Sequence, residues 1–210
     1  TYLLIGTLVW HFLSGIFNVI SEMIAWERWE GTIEYTLMAP VRRRNQIFGQ
    51  AGFAVSYILL VTATIGLVVS RFFDLDFGGA DLLGALVILL AGSLSFVAIG
   101  VVASILPLLY PERGAQMTNI VQAVFLLVSG VYYPVSVLPD WLQTVSKLSP
   151  ATYVLAGMRA ALLPGTSDQS LWSYVAPLLV MGVVMLPLGI GLFQRAERYT
   201  KRTGKLKRNG

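Results

Sequence analysis

The 210-residue sequence has no cysteine and one histidine, His11. The first absence excludes disulfides and thiolate metal sites, and a lone histidine leaves no ligand set for zinc. Charge is scarce as well. Lys, Arg, Asp and Glu make up 12% of the chain, where a soluble domain carries about 25%. No Walker A sequence, nucleophile elbow or HExxH motif occurs. No internal repeat and no Pro- or Ser-rich linker divides the chain, so residues 1–210 read as one domain.

What is abundant is apolar: hydrophobic residues make up 56% of the chain. A membrane span needs about 20 mostly apolar residues. Five runs qualify, at about 2–20, 46–70, 82–110, 115–133 and 171–193. Backbone groups in hydrocarbon must be satisfied within the segment, so the runs predict helices, and the alternation of a membrane β-barrel is missing. Pro107 near the end of the third run predicts a tilt, a kink or an early stop. The fold class expected is all-α, a polytopic helical membrane protein. The first run lacks a basic leader and a small-residue cleavage site, so it does not read as a signal peptide. Thr1 is not a start methionine, and a preceding span would make six.

Lys and Arg set the expected orientation. Arg28, Arg42, Arg43 and Arg44 fall between the first two runs, and Arg113 between the third and fourth. Arg195, Arg198, Lys201, Arg202, Lys205, Lys207 and Arg208 follow the fifth. Twelve of the fifteen basic residues thus lie on one side, against Arg71, Lys147 and Arg159 on the other. The richer side, with loop 21–45 and the basic tail 194–210, reads as cytoplasmic. The tail suits retention and attraction to anionic lipid, and it offers no folded platform for nucleic acid.

Two loops carry structure of their own. In the first, WERWEGTIEYTLMAPVRRR, Gly31 breaks the incoming helix. Thr32 can cap a new one, Glu34 suits its first turn, and Pro40 ends it. That short helix either anchors the loop at the interface or docks a cytoplasmic partner. In the outer region 134–170, Leu138, Trp141, Leu142, Val145 and Leu148 share one helical face after Pro139, and a second short helix covers about 151–163. Neither is long enough to cross, so they predict a re-entrant pair shaping the outer mouth. Two runs bear polar stripes: His11, Ser14, Asn18 and Glu22 in the first, Gln116, Asn119, Gln122 and Ser129 in the fourth. Each stripe either bonds helix to helix or lines a route across the membrane. Paired carboxylates inside the runs are missing, which disfavours both an ion-driven transporter and a membrane enzyme. Uphill movement of a solute would need energy from another chain.

Residues Glu27, Glu30, Gly31, Thr32, Glu34, Leu37 and Pro40 match the pattern E-x-x-E-G-T-x-E-x-x-L-x-x-P. Gly130, Pro134, Leu138, Pro139 and Trp141, then Pro150 and Arg159, form a second match before the last run. With these motifs the chain resembles the ABC-2 permeases, the membrane subunits of bacterial drug, antibiotic and polysaccharide exporters. The resemblance implies a homodimer, or a pair with a paralogous permease, served by a separate ATP-binding cassette subunit that holds ATP and Mg. It implies no catalysis and no cofactor in this chain itself. It makes Glu27, Glu30, Gly31, Thr32, Glu34, Leu37 and Pro40 the coupling helix that docks on the ATPase. Substrate would pass along the first and fourth runs, near Phe12, Phe17, Asn18, Asn119, Gln122, Phe125 and Tyr132. Pro134, Leu138, Pro139 and Trp141 would shape the outer gate. The function implied is export of an amphiphilic or lipid-like substrate, as in multidrug efflux, from the cell membrane with the C-terminus cytoplasmic. The alternatives are a non-transporting membrane scaffold and an integral-membrane enzyme acting on lipids.

Overall fold

A computed structural model describes residues 2–72, 79–110, 112–163 and 170–203, without the side chains of Leu37 and Arg43. Lys205, Lys207 and Arg208 of the basic tail and residues 164–169 of the outer region lie outside the described residues. Every regular element among the described residues is helical.

Helix α1 runs from Tyr2 to Glu30, ten residues past the expected span. Ile5, Val9, Phe12, Ile16 and Ile20 recur at helical spacing on its buried face. It ends where Gly31 takes φ 75°, a conformation that costs glycine nothing. Helix α2, Ile33–Met38, follows at once, with Glu34 in its first turn. The expected cap is not made: the Thr32 hydroxyl turns back to donate to the Glu27 carbonyl at 3.4 Å. Ala39, pushed out of helical geometry by Pro40, stops the helix at ψ 140°. Helix α3 spans Arg43–Phe72 and rests mainly on α1.

Helix α4, Leu82–Ala103, is the axis of the bundle and packs on α1, α9 and α8. Asp81 caps it, accepting from the Gly84 amide at 2.8 Å. The interruption expected near Pro107 falls at Ser104, after which α5 covers Ile105–Leu109. Proline has no N–H to offer the preceding turn. Helix α6 covers Gly114–Val128, only 15 residues. The sequence pattern predicts a span to residue 133. The helix stops earlier because Gly130 takes φ 72° and Pro134 follows. At 1.5 Å per residue it reaches about 22 Å, short of the roughly 30 Å hydrocarbon core. Among the described residues four helices are long and apolar enough to cross a membrane: α1, α3, α4 with α5, and the last helix, α9, Trp172–Arg202. Between α6 and α9 lie helices α7, Asp140–Ser146, and α8, Pro150–Leu162. The chain is a multi-pass membrane protein.

Helix α9 approaches α4 closely at Gly182 and Gly189. A methyl group on Gly189 would lie 3.1 Å from the Ala98 carbonyl oxygen. The Ser95 hydroxyl bridges the same pair, donating to the Leu178 carbonyl at 3.1 Å. Small residues and hydroxyls do this work in hydrocarbon, where apolar burial gives no drive between helices.

Candidate functional site

At the basic end, α1 finishes in two tryptophans, Trp26 and Trp29, with rings edge to face at 5.7 Å. Ile33 is buried and anchors α2 to the bundle. Beyond it Tyr35 and Met38 stand out, each 80% exposed. Glu30, Gly31, Thr32, Glu34 and Pro40 are exposed beside them, while Glu27 is half-buried. Leu37 belongs to α2 by its backbone. Of the expected docking residues, Glu30, Gly31, Thr32, Glu34 and Pro40 thus lie on one projecting surface with the apolar Tyr35 and Met38.

Behind that surface, Arg28 reaches across the bundle. Its Nη2 donates to the Leu108 carbonyl at 2.6 Å, at the last turn of α5. Helices α5 and α6 cross in near backbone contact there, since a methyl group on Gly114 would come within 2.2 Å of the Pro107 Cα. The segment that carries α2 is therefore tied to the entry of α6.

The expected route residues divide. Helices α1 and α6 are neighbours. Asn18 and Gln122 are half-buried, and Asn119 and Tyr132 are exposed. Phe125 is half-buried, its ring 6.2 Å from that of Phe96. Phe12 and Phe17 are enclosed in the core of the subunit. Of the α1 stripe, the Ser14 hydroxyl bonds back to the His11 carbonyl at 3.3 Å, and His11 faces Thr62 of α3 at 3.4 Å. Among the described residues no three His, Asp or Glu side chains cluster as metal ligands would.

At the opposite end, Pro134, Pro139 and Trp141 are exposed and Leu138 is half-buried. The apolar face of α7 points outward with Trp141 and Val145, as does Leu148 just past it, and the small polar Ser146 is the residue turned inward. Ser146 has a task there. Because α6 stops short, its last carbonyls need donors that hydrocarbon cannot supply. The Tyr133 hydroxyl donates to the Leu127 carbonyl, and the Ser146 hydroxyl to that of Val128. The Ser129 hydroxyl returns to Phe125 and lies 3.3 Å from that of Ser149. Arg159 of α8 donates through Nη2 to the carbonyls of Gly130 at 3.2 Å and Val131 at 3.0 Å. Its guanidinium sits 3.7 Å over the ring of Tyr2. Burial lowers the pKa of this group from the usual arginine value, and Tyr2 opposes the shift. An arginine remains charged at neutral pH even so, and a cation suits the C-terminal pole of a helix. These donors were not legible as a site. The signals available for Arg159 were its place in the second motif and a basic residue in an otherwise apolar segment.

Residues 1–163 match the family described as ABC-2 type transporter. Two curated relatives share the description "Probable multidrug ABC transporter permease YbhR", one from Escherichia coli strain K12 and one from Escherichia coli O157:H7. Each is 28% identical over 184 residues, covering 86% of this chain and 49% of the relative. The chain spans about half the length of the curated relatives it matches. The family match runs through α1 to α8, and with it the projecting α2, the short α6 and the capping pair α7 and α8: the chain belongs to the ABC-2 type transporter family.

Proposed function

We propose that this chain is the permease subunit of an ATP-driven exporter, working as a dimer with itself or a paralogous permease. A separate ATP-binding cassette subunit holds ATP and Mg and docks on α2. The observation that carries this reading is the projecting surface of Tyr35, Met38, Glu30 and Glu34. It joins exposed apolar anchors to carboxylates, the composition of a partner interface rather than a lipid-facing one. Its end of the bundle holds Arg42 and Arg44 and the basic turns of α9, so it faces the cytoplasm by the bias of Lys and Arg. The likeness to a multidrug permease favours an amphiphilic or lipid-like cargo.

Motion of α2 passes through Arg28 to the junction of α5 and α6. Helix α6 then shifts against α1, and the route opens between them and along the dimer axis. Asn119, Gln122, Asn18, Phe125 and Tyr132 line it, with Phe12 and Phe17 reached only as the subunit opens. The pair α7 and α8, with Pro134, Leu138, Pro139 and Trp141, forms the outer gate.

The test is co-purification. Wild-type chain should bring down a nucleotide-binding subunit with ATPase activity. Glu30→Lys with Glu34→Lys should lose that subunit, or keep it with turnover no longer responsive to cargo. If no ATPase accompanies the wild type, a membrane scaffold describes the chain better. If the double variant behaves as wild type, α2 is only an interfacial anchor.

A further inference from the structure

Three elements meet on the Arg159 guanidinium: α8, which carries it, the chain just past α6, whose carbonyls it holds, and the start of α1, whose Tyr2 ring it covers. The packing around this point is tight. A methyl group on Gly6 would fall 2.5 Å from the Val131 oxygen and 3.2 Å from Arg159 Nη2. Helix α1 therefore meets the end of α6 backbone to backbone, with the guanidinium closing the gap. Planar, with five N–H donors, the group can serve carbonyls at its edge while its face lies flat on an aromatic ring.

We propose that Arg159 is a latch on the far end of the molecule, a positioning residue that keeps α1 and α6 together until transport parts them. The proposal rests on the permease reading, because α1 and α6 flank the route there. Carbonyl oxygens suit a bond that must open repeatedly. Water entering a widening mouth can replace the arginine at Gly130 and Val131, and can solvate the released guanidinium. The latch also accounts for the short α6. A helix that crossed completely would satisfy its own carbonyls at depth. One that stops early leaves them available to a residue on another element, and so makes its end detachable.

The chain has no cysteine of its own, so introduced thiols report cleanly. The experiment uses the full protein with its ATPase subunit in membranes, labelled with a membrane-impermeant maleimide. The reporter is Ser129→Cys, at a site 1% exposed beside the latch. Complex without that substitution sets the background. Without nucleotide, adding Arg159→Gln should speed labelling at least about tenfold, since a charged donor set is lost. Adding Tyr2→Leu instead, which spares the hydrogen bonds and removes the ring, should speed it about threefold. Ser95→Cys, buried between α4 and α9, should stay protected in both. Equal labelling at position 129 with and without Arg159→Gln overturns the latch. So does a parallel rise at position 95, which would make Arg159 a general structural prop. If Arg159→Gln does not assemble, Tyr2→Leu decides, and an unchanged rate there also overturns it. ATP and Mg should accelerate labelling of Ser129→Cys in the otherwise wild-type complex. If they do not while Arg159→Gln does, the latch stands and the permease reading fails.

Discussion

Two arginines, Arg28 and Arg159, do at opposite ends of α6 what hydrocarbon cannot: they supply donors to carbonyls at helix breaks. Replacing Arg28 by Gln removes the donor from the Leu108 carbonyl, and the exchange should cost about 1–3 kcal/mol. Thermal unfolding of the purified subunit in detergent measures that cost. Under the permease reading the same variant should still bind its ATPase subunit while cargo-stimulated turnover falls. Arg28→Lys should recover part of it, since a shorter ammonium can reach one carbonyl. An Arg28→Gln variant with wild-type melting and turnover would remove Arg28 from the coupling path. Neither arginine could be given its partner from sequence. Arg28 is 80 residues from Leu108 and Arg159 is 28 from Val131, and such pairs follow from how helices pack. Sequence shows only that a charge in apolar surroundings needs company. The misplaced Thr32 cap is of the same kind: residue type allows several bonds, and the local turn chooses one.

Each of the second, third and fifth apolar runs is helical: α3 covers the second, α4 with α5 the third, and α9 begins with the fifth and continues past it to Arg202. Boundaries depend on single residues. Helix α1 continues through WERWE because charged ends are free to leave the hydrocarbon, and α6 ends early because Gly130 and Pro134 outweigh the apolar residues around them. The polar stripe of α6 was legible in its spacing, and its exposure depends on packing that sequence does not state. Exposure separates the two sets of expected route residues and gives them different outcomes. Asn119→Leu with Gln122→Leu changes one exposed and one half-buried position, neither in the core, so folding should stay within about 0.5 kcal/mol of wild type. Cargo-stimulated ATPase activity should fall if α6 lines the route. Phe12→Ala should instead lower the unfolding temperature, with a cost of about 3 kcal/mol or more for an emptied core position. A double variant with unchanged cargo response would remove the α6 stripe from the route.

At the scale of the whole molecule, one asymmetry organises the rest. The basic residues gather at the end that carries α2 and the last turns of α9, and the opposite end is closed by α7 and α8 with Lys147 and Arg159. Lys and Arg resist translocation, so the basic end should face the cytoplasm. That placement decides whether α2 can meet a cytoplasmic ATPase at all, and whether Arg159 guards an exit or an entrance. Two exposed positions report it: Tyr35→Cys on α2, and Val137→Cys in the turn before α7. In intact cells an impermeant maleimide should label Val137→Cys and spare Tyr35→Cys. In inverted membrane vesicles the pattern should reverse. Labelling of Tyr35→Cys from outside would turn the molecule over and put α2 beyond reach of any ATP-binding subunit. The same result would leave Arg159 in place as a clamp on α1 and α6, but facing the compartment from which cargo enters.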